Sequence, residues 1–373
     1  MPSLLKKLLP TRTLASRSVS VLMSIALLSA CGSESSTSTT VYQPPVNTDQ
    51  AVADIIDLLT LPAINDFAQH ALALQTASSE FCNNRTTGTL ALAQQQWKNT
   101  AAAWYRYLPY NMGPSQIADD AVLIEVYAFI EALRFRGNNE ASTVRNDIQR
   151  MLAGTVDSNF NNKNYNTLGL LALEISLFER ISDGSTDSSD IVGAYTDKQC
   201  TILSGYNNAM VNRAQFIQQQ WRSDYQNSGH SYRDLLINGG LSALPLEDGA
   251  AADAKLITSS NEFMDYLHKR TLINDAAIVS GHTWALMNQA ITSLQNMIEG
   301  APAASESFAD LLQQYAPNDL ATLRANITTA KATIEEENET DFYAAVLSLD
   351  GNIKRELKNG LGISVGLNFS DGD

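Results

Sequence analysis

Histidine and cysteine are scarce in this sequence, with 4 and 3 copies among 373 residues. The four histidines, His70, His230, His268 and His282, are far apart, and none lies in the HExxH pattern of zinc peptidases. The cysteines lack the CxxC spacing of zinc and redox sites. P-loop, dinucleotide-binding and G-x-S-x-G motifs are also absent, so the sequence excludes those enzyme classes.

Basic residues are also few: the sequence has 25 Lys and Arg but 40 Asp and Glu. Residues 1–30 hold four basic and no acidic residues, so without them the balance is 21 against 40, a charge of −19. Such a chain repels a phosphate backbone. We therefore expect no nucleic-acid partner, and a cation or metal is the easier ligand to accept.

Long apolar runs are missing after residue 30, but the N-terminus has the pattern of a bacterial lipoprotein leader. Four basic residues precede the apolar stretch 19–28, and LSAC at 28–31 resembles a lipobox. We expect residues 1–30 to be a signal peptide, Cys31 to be lipidated and residues 31–48 to be a flexible tether. An ordinary secretory signal with a chance cysteine is the alternative. The lipid would be the membrane attachment, and Gly32, by resemblance to lipoprotein sorting in Gram-negative bacteria, favours the outer membrane, facing the periplasm.

Lipidation of Cys31 leaves Cys82 and Cys200. In an oxidising envelope, an even remainder suggests a disulfide between them. That bridge would close a loop of more than a hundred residues and stabilise the fold by about 4 kcal/mol. Two buried free thiols are the alternative.

The sequence from Asp49 onward shows the apolar period of helices almost throughout. It predicts an all-α fold of two helical bundles packed side by side, with residues 49–190 in the N-terminal bundle and 191–373 in the C-terminal bundle. The tetrapeptide QQQW at 94–97 recurs at 218–221, which indicates either a duplicated unit or chance. Helices are predicted at 64–81, 89–107, 121–134, 141–152, 168–178, within 190–225, and at 254–272, 276–299, 308–315, 319–337 and 341–357.

The apolar run LGLLALEISLF at 168–178 contains a single charge, Glu174. The run is too short to span a bilayer and rich in helix-forming Leu and Ala, so it predicts a core helix. A carboxylate buried there requires protonation, a cation, hydrogen bonds or a metal. Arg106 is the first candidate cation, and Arg134, Arg136 and Lys269 compete with it. Alternatively, the helix is amphipathic and Glu174 lies at its solvent edge.

Several segments, in order along the chain, resemble the imelysin family of bacterial envelope proteins. They are Phe81-Cys82 at a helix end, Trp97 and Trp104 before Gly113-Pro114, the segment from Gly169 to Glu174, the helix of Cys200 and Tyr206 with Trp221, and Ser280-Gly281-His282 in a helix that ends at Gly300.

The resemblance implies two helical bundles with a site at their junction, and a link to iron uptake or iron-regulated expression. The family's GxHxxE motif places a His and a Glu about one helical turn apart, so that both can bind one metal. Gly169 and Glu174 match this motif, but Leu171 occupies the His position and cannot bind a metal. This departure argues against the peptidase activity with which the family has been labelled.

The expected site lies between the bundles and contains no assigned catalytic residue. If the halves pack around a cleft, Glu174 and His282 could face each other and hold iron or another divalent metal. A further ligand such as Asp265, Glu125 or Glu131 would have to complete the coordination. A histidine satisfied at a helix start is an equally good interpretation of His282. The expected ligand-binding residues are Trp104, Arg106, Gly169, Glu174, Ser280 and His282.

These observations predict a non-enzymatic, envelope-anchored lipoprotein that binds a metal, an iron-bearing ligand or an envelope protein at the junction of the bundles. Two alternatives stay open. One is a protein-binding scaffold in which Glu174 forms a structural ion pair. The other is a metal-dependent peptidase, which needs a cluster of at least three ligands.

Overall fold

Helices follow one another from Asp49 to Gly360, which confirms the predicted all-α fold class. The computed structural model describes residues 46–365 except 120–123, 132–140, 157–158, 161–162, 239–251, 270–272 and 274–275. The expected signal peptide, Cys31 and residues 31–45 of the expected tether lie outside the described residues, as do Arg134 and Arg136.

Most of the predicted helices agree with the observed ones to within three residues at either end. Two π-helical turns, Ile56–Thr60 and Ile353–Leu357, connect α1 to α2 and α14 to α15. The helices are α1 (Asp49–Ile55), α2 (Leu61–Asn83), α3 (Thr87–Tyr107), α4 (Ala128–Glu131), α5 (Ala141–Ala153), α6 (Gly169–Phe178), α7 (Ser188–Ala194), α8 (Asp197–Arg222), α9 (Tyr232–Ile237), α10 (Ala252–Lys269), α11 (Thr283–Glu299), α12 (Phe308–Tyr315), α13 (Pro317–Glu335), α14 (Glu339–Asn352) and α15 (Lys358–Gly360).

The two long helices α3 and α8 begin at capping boxes. The Thr86 hydroxyl accepts a hydrogen bond from the Thr89 N–H, and the Thr196 hydroxyl accepts one from the Gln199 N–H. In each box the third helical residue also accepts a bond from the N-cap N–H. These bonds satisfy N–H groups that have no partner inside the helix, and so they fix where both helices start.

Helices α2 and α8 form an antiparallel pair that is tied at three points. Cys82 is joined to Cys200 by a disulfide, the bridge that the cysteine count suggests. The Gln75 amide donates to Asn208 Oδ1 at 2.6 Å, and the Gln218 amide donates to Asn65 Oδ1 at 2.8 Å. As the residue number falls along α2, the partner's number rises along α8, which defines the antiparallel register.

A first group of helices surrounds this pair. Helix α3 packs along α2, and α6 packs against both α3 and α8. A second group is formed by α10, α11, α13 and α14. The sequence boundary at residue 190 assigns α8 to the second bundle, but α8 packs mainly against α2. The division of the chain into two domains stays a prediction.

The two groups meet along α3 and α11. The Ser293 hydroxyl on α11 donates to the Arg106 carbonyl on α3 at 2.6 Å. The turn Leu108–Tyr110 after α3 also contacts α10, where the Ser259 hydroxyl donates to the Pro109 carbonyl at 3.0 Å. Near the start of α11, Leu286 lies across a small cavity from Trp97 and Ala101 of α3, and the turn before α11 reaches the helix that carries Glu174.

The segment after Gly113 differs from its prediction as a helix over 121–134. Two short strands, β1 (Ala118–Asp119) and β2 (Ile124–Glu125), pair antiparallel there. Two more backbone bonds extend the pairing, from the Val126 N–H to the Ile117 carbonyl and from the Tyr127 N–H to the Ser115 carbonyl, each 3.0 Å long. Within the described residues, helix forms only at Ala128–Glu131, because the preceding backbone is committed to this ladder.

Among the described helices, none combines the length and the apolar character required to cross a membrane.

Candidate functional site

Helix α6 is buried along its whole length, and a glycine makes its first turn possible. Gly169 has φ of +76°, a conformation that side chains other than glycine rarely adopt. A Cβ on Gly169 would lie 2.3 Å from the Ile130 carbonyl oxygen and 2.8 Å from that of Phe129. Helix α4 can therefore approach α6 closely. The Trp97 indole N–H donates to the Leu170 carbonyl at 2.9 Å and holds the same end of α6 from the side of α3.

Glu174 is buried in the middle of α6, with 1 % of its surface exposed. Its Oε1 accepts a hydrogen bond of 2.7 Å from the backbone N–H of Ser280. Ser280 lies in a turn, residues 276–281, that precedes α11. The buried alternative for Glu174 is therefore the observed one, and its hydrogen-bond partner is a main-chain group.

The turn at 276–281 was predicted as the first part of a helix over 276–299, and this part of the prediction is wrong. Ala277 and Gly281 have φ of +55° and +64°, and both values are incompatible with a right-handed helix. The Ser280 hydroxyl donates to the Ala277 carbonyl at 3.0 Å, and the Thr283 hydroxyl donates to the Ala276 carbonyl at 2.5 Å. These bonds hold the turn so that its N–H groups face Glu174.

Burial raises the pKa of Glu174 from 4.5 to about 7. The hydrogen bonds from Ser280 and from the Val279 backbone lower the pKa, and the charge of nearby Glu179 raises it. Burial has the larger effect because it disfavours the ionised form. Near neutral pH, Glu174 is therefore close to the midpoint of its titration.

A small cavity lies beside the Glu174 carboxyl, with a volume of about 10 Å³. That volume accommodates about one water molecule. Leu171, at the position of the motif histidine, is one of the wall residues, so the motif position faces the same space as Glu174. A leucine there presents carbon to the cavity instead of a metal ligand. The wall is formed by Trp97, Ala101, Tyr105, Leu170, Leu171, Glu174, Ala277 and Leu286.

Arg145, a residue that the sequence analysis missed, pairs with Glu179 just after α6 and is close enough to Glu174 to feel its charge. Arg145 forms a bidentate ion pair with Glu179, with Nε–Oε1 and Nη2–Oε2 distances of 2.6 and 2.7 Å. Glu179 follows directly after α6 and is 3 % exposed. The pKa of Arg145 is raised first by its bonds to Glu179 and further by the charges of Glu179 and Glu174. No sequence pattern links Arg145 to α6.

Arg106, the first candidate cation for Glu174, has a different partner. Its Nη1 donates to Asp66 Oδ2 on α2 at 2.7 Å, and this pair is partly exposed. Lys269 pairs with Asp265, 3.0 Å away. Arg106 was expected to pair with Glu174. It points instead to α2, which packs on another face of α3.

Trp104, another expected site residue, is fully buried in the core between α2 and α3. Its ring centroid lies 5.0 Å from that of Phe67 and 5.5 Å from that of Tyr107. It is absent from the cavity wall beside Glu174. A role in binding a ligand at Glu174 stays a prediction for Trp104.

His282 occupies the N-cap position of α11, two residues after Ser280. Its backbone N–H donates to the Ala277 carbonyl at 3.0 Å, which closes the turn. Partial burial lowers the pKa of the imidazole, and the charge of Lys98 lowers it further. The imidazole is therefore biased toward its neutral form, the form that can bind a metal.

A resident metal ion does not fit the described residues around Glu174. Across the described part of the chain, no three His, Cys, Asp or Glu residues lie close enough together to hold an ion. Protein-held metals such as zinc use at least three protein ligands, and one Glu174 oxygen already accepts the Ser280 N–H. Asp265 is paired with Lys269 and Lys354. The metal pair of Glu174 and His282 stays a prediction.

A family model described as "Peptidase_M75: Imelysin" matches residues 60–360 of the chain. The chain belongs to the imelysin family. In this imelysin, Gly169, Leu171 and Glu174 hold the positions of the GxHxxE motif. Their geometry explains two of the three: glycine permits the contact between α4 and α6, and the glutamate binds the turn at 276–281.

Solved structures of similar fold come from other bacteria. A protein from Parabacteroides distasonis, described as an iron-regulated protein A precursor, matches with a TM-score of 0.67 and 15 % identity, over 86 % of this imelysin and 97 % of its own chain. An imelysin-like protein from Psychrobacter arcticum matches with a TM-score of 0.63 and 16 % identity, over 85 % and 96 %. At these identities the likeness establishes the fold alone. No curated protein matches the chain in sequence.

Proposed function

We propose that this protein is a lipid-anchored envelope protein that takes part in iron uptake and catalyses no reaction. Membership of the imelysin family supports the proposal, as does the description of one structural neighbour as iron-regulated. The leader-like N-terminus and Cys31 support attachment by a lipid, at the outer membrane and facing the periplasm. The charge of −19 without residues 1–30 supports a cationic cargo rather than nucleic acid.

The observation that carries the proposal is the buried Glu174 carboxyl at the junction of α6 and the turn at 276–281. A buried carboxyl with a raised pKa beside a cavity is a candidate functional site. The described residues do not supply a complete set of metal ligands. Iron would therefore reach this site already bound to a small ligand or to a partner protein.

The size of the cavity limits where that ligand can bind. A space of about 10 Å³ holds no more than a water molecule, so the ligand binds outside it, on the turn at 276–281. This turn exposes Ile278, which is 52 % accessible, next to the main-chain groups that hold Glu174. His282 ends the turn and completes the proposed surface.

Binding measurements on the chain without its leader test the proposal. We would titrate residues 32–373 by calorimetry with ferrous iron as the cationic probe and ferric citrate as an anionic one, in the wild type, Glu174→Gln and His282→Gln. Glu336→Gln, an exposed change on another helix terminus, is the matched control. We expect at least one probe to bind, with at least a tenfold loss in both site variants and none in the control. Equal affinity in all four proteins, or no binding of either probe, would contradict the proposed ligand site.

The anchor has a separate test in the native host. Replacing Cys31 with Ser should move the protein from the membrane fraction to the soluble fraction and abolish incorporation of labelled palmitate. Gly32→Asp leaves the lipid in place and should change only which membrane holds the protein. Incorporation of labelled palmitate into the Cys31→Ser protein would rule out Cys31 as the site of the lipid.

A second candidate is a protein-binding scaffold in which Glu174 is structural. The closed environment of the carboxyl favours it, because Glu174 is 1 % exposed and bonded to main chain. In this case Glu174→Gln changes the thermal stability but leaves iron binding and partner capture unchanged. A metal-dependent peptidase is less well supported, because Leu171 replaces the motif histidine. A casein digestion assay with and without added zinc tests that activity.

A further inference from the structure

A groove lies between α2 and α8 and shares no lining residue with the cavity beside Glu174. Its volume is about 520 Å³, which is within the range of small-molecule sites. The disulfide between Cys82 and Cys200 closes one end, and the bond between Gln75 and Asn208 crosses the groove toward the other. Gln75 and Cys82 are seven positions apart on α2, so the groove is about 10 Å long.

Two buried polar side chains line the deep part of this groove. Ser78 on α2 is 2 % exposed and Asn207 on α8 is 1 % exposed. Neither Ser78 Oγ nor Asn207 Oδ1 has a hydrogen-bond partner within the described residues. The Asn207 amide nitrogen is already used, because it donates to the Leu203 carbonyl at 2.9 Å. Asn207 therefore offers a bare acceptor, and Ser78 offers a hydroxyl that can accept or donate.

The rim of the groove adds amides and hydroxyls rather than charges. Helical spacing brings Gln75 and Ser79 to one edge, and Ser204 and Asn208 to the other. Glu80 is the one charged side chain among the lining residues, all of which the structure describes, and no lysine, arginine or aromatic ring is among them. Such a surface has nothing to pair with an anion and little to hold a cation. It suits a neutral ligand that carries many hydroxyl groups.

We propose that this groove binds a short neutral saccharide. Adjacent sugar hydroxyls can donate to Asn207 Oδ1 and Ser78 Oγ at the floor while accepting from the Asn208 amide nitrogen at the rim. A length of about 10 Å matches two sugar rings better than a long polymer. Because no ring stacks on the sugar, affinity rests on hydrogen bonds that compete with water, and a Kd of about 1 mM is expected. The groove and Glu174 share no residue, so this site is independent of the proposed function.

Nuclear magnetic resonance titration of the chain 32–373 tests the proposal. The probes are diacetylchitobiose, cellobiose and maltose, each raised to about 20 mM, with trialanine as a peptide probe of similar size. We expect at least one disaccharide to shift the amide signals of residues 75–83 and 200–208 with saturation. Trialanine should cause no such shifts. Saturable binding of trialanine alone would replace the saccharide with a peptide ligand, and no binding of any probe would overturn the site.

Two variants identify the floor of the groove as the binding surface. Asn207→Leu and Ser78→Ala each remove an unpaired polar atom, and neither should impair folding, because apolar groups replace buried unsatisfied ones. Each should weaken disaccharide binding at least fivefold. Asn65→Leu, on the same helix pair but outside the groove, is the control and should bind as the wild type does. Unchanged affinity in both floor variants would show that the sugar binds elsewhere and would refute the assignment.

Discussion

The Glu174 side chain accepts a 2.7 Å hydrogen bond from the backbone N–H of Ser280, 106 residues further along the chain. This bond joins the middle of α6 to the turn that begins α11. Glu174 is the only charged residue in the α6 sequence, so its protonation state decides whether this helix carries a negative charge.

We expect Glu174 to make the protein less stable as the pH rises toward neutrality. The folded protein keeps the Glu174 proton until about pH 7, whereas an ordinary glutamate loses it near 4.5. Between these values the folded state binds more protons than the unfolded state, so the free energy of unfolding falls with rising pH. The stabilisation is complete below pH 4.5 and lost through pH 7, and its upper limit is about 3 kcal/mol.

Urea unfolding of the wild type and Glu174→Gln between pH 4.5 and 8 measures this effect. The difference between the two curves isolates Glu174 from the other titrating groups. His282 acts in the opposite direction, because its lowered pKa makes the folded state bind fewer protons than the unfolded state. A difference between wild type and variant that stays constant across this range would contradict the raised pKa.

Gly169→Ala should be one of the most destabilising single substitutions in the chain. It combines a positive φ with a Cβ placed 2.3 Å from the Ile130 carbonyl oxygen, so α4 and α6 must separate. We expect a loss of more than about 3 kcal/mol in the free energy of unfolding. Gly184→Ala is the control, because Gly184 has the same φ of +76° but no atom within 4 Å. Its cost should be about 1–2 kcal/mol, from the backbone alone. Equal losses at the two glycines would mean that the contact with α4 is unimportant.

Arg145→Ala should lower the free energy of unfolding far more than the loss of a similar exposed ion pair does. Glu179 is buried, so removing its guanidinium partner leaves an uncompensated carboxylate and costs about 3 kcal/mol. Arg324 and Glu299 form a pair of the same geometry on the surface, with N–O distances of 2.8 and 2.6 Å. Arg324→Ala should cost less than about 1 kcal/mol. The double variant Arg145→Ala, Glu179→Gln should recover part of the loss, and failure to recover any would assign the effect to lost packing of the arginine stem.

Reduction of the disulfide should lower the free energy of unfolding by about 4 kcal/mol. The bridge closes a loop between residues that are 118 positions apart, and this constrains the unfolded chain. Guanidinium unfolding with and without a phosphine reductant provides the measurement. The double variant Cys82→Ala, Cys200→Ala should match the reduced wild type and should not respond to reductant. A response to reductant in that variant would show that another thiol is involved.

The sequence was sufficient to predict most of the helices and to identify Glu174 as a residue that needed a partner. Helical periods and caps are local signals, and α3, α6 and α12 appear within two residues of their predicted bounds. The pairing of Cys82 with Cys200 also followed, since only two cysteines were left after Cys31. These features depend on composition and spacing, which can be read directly.

The partner of Glu174 could not be predicted in the same way. We expected a cation as the partner, with Arg106 as the first candidate. The observed donor is a main-chain N–H, and every residue except proline has one, so no residue type marks it. Gly281, just before His282, was the signal that could have moved the helix start from 276 to 283. Arg145 became relevant only because α5 packs on α6, a contact that no local pattern encodes.

The register of α2 and α8 affects the order in which the chain folds. Cys82 must wait for Cys200, which lies 118 positions further along the chain. Before α8 is available, α2 can pair with α3, its immediate successor, but not with α8. The folding chain therefore passes through a stage in which one side of α2 is uncovered and open to a chaperone.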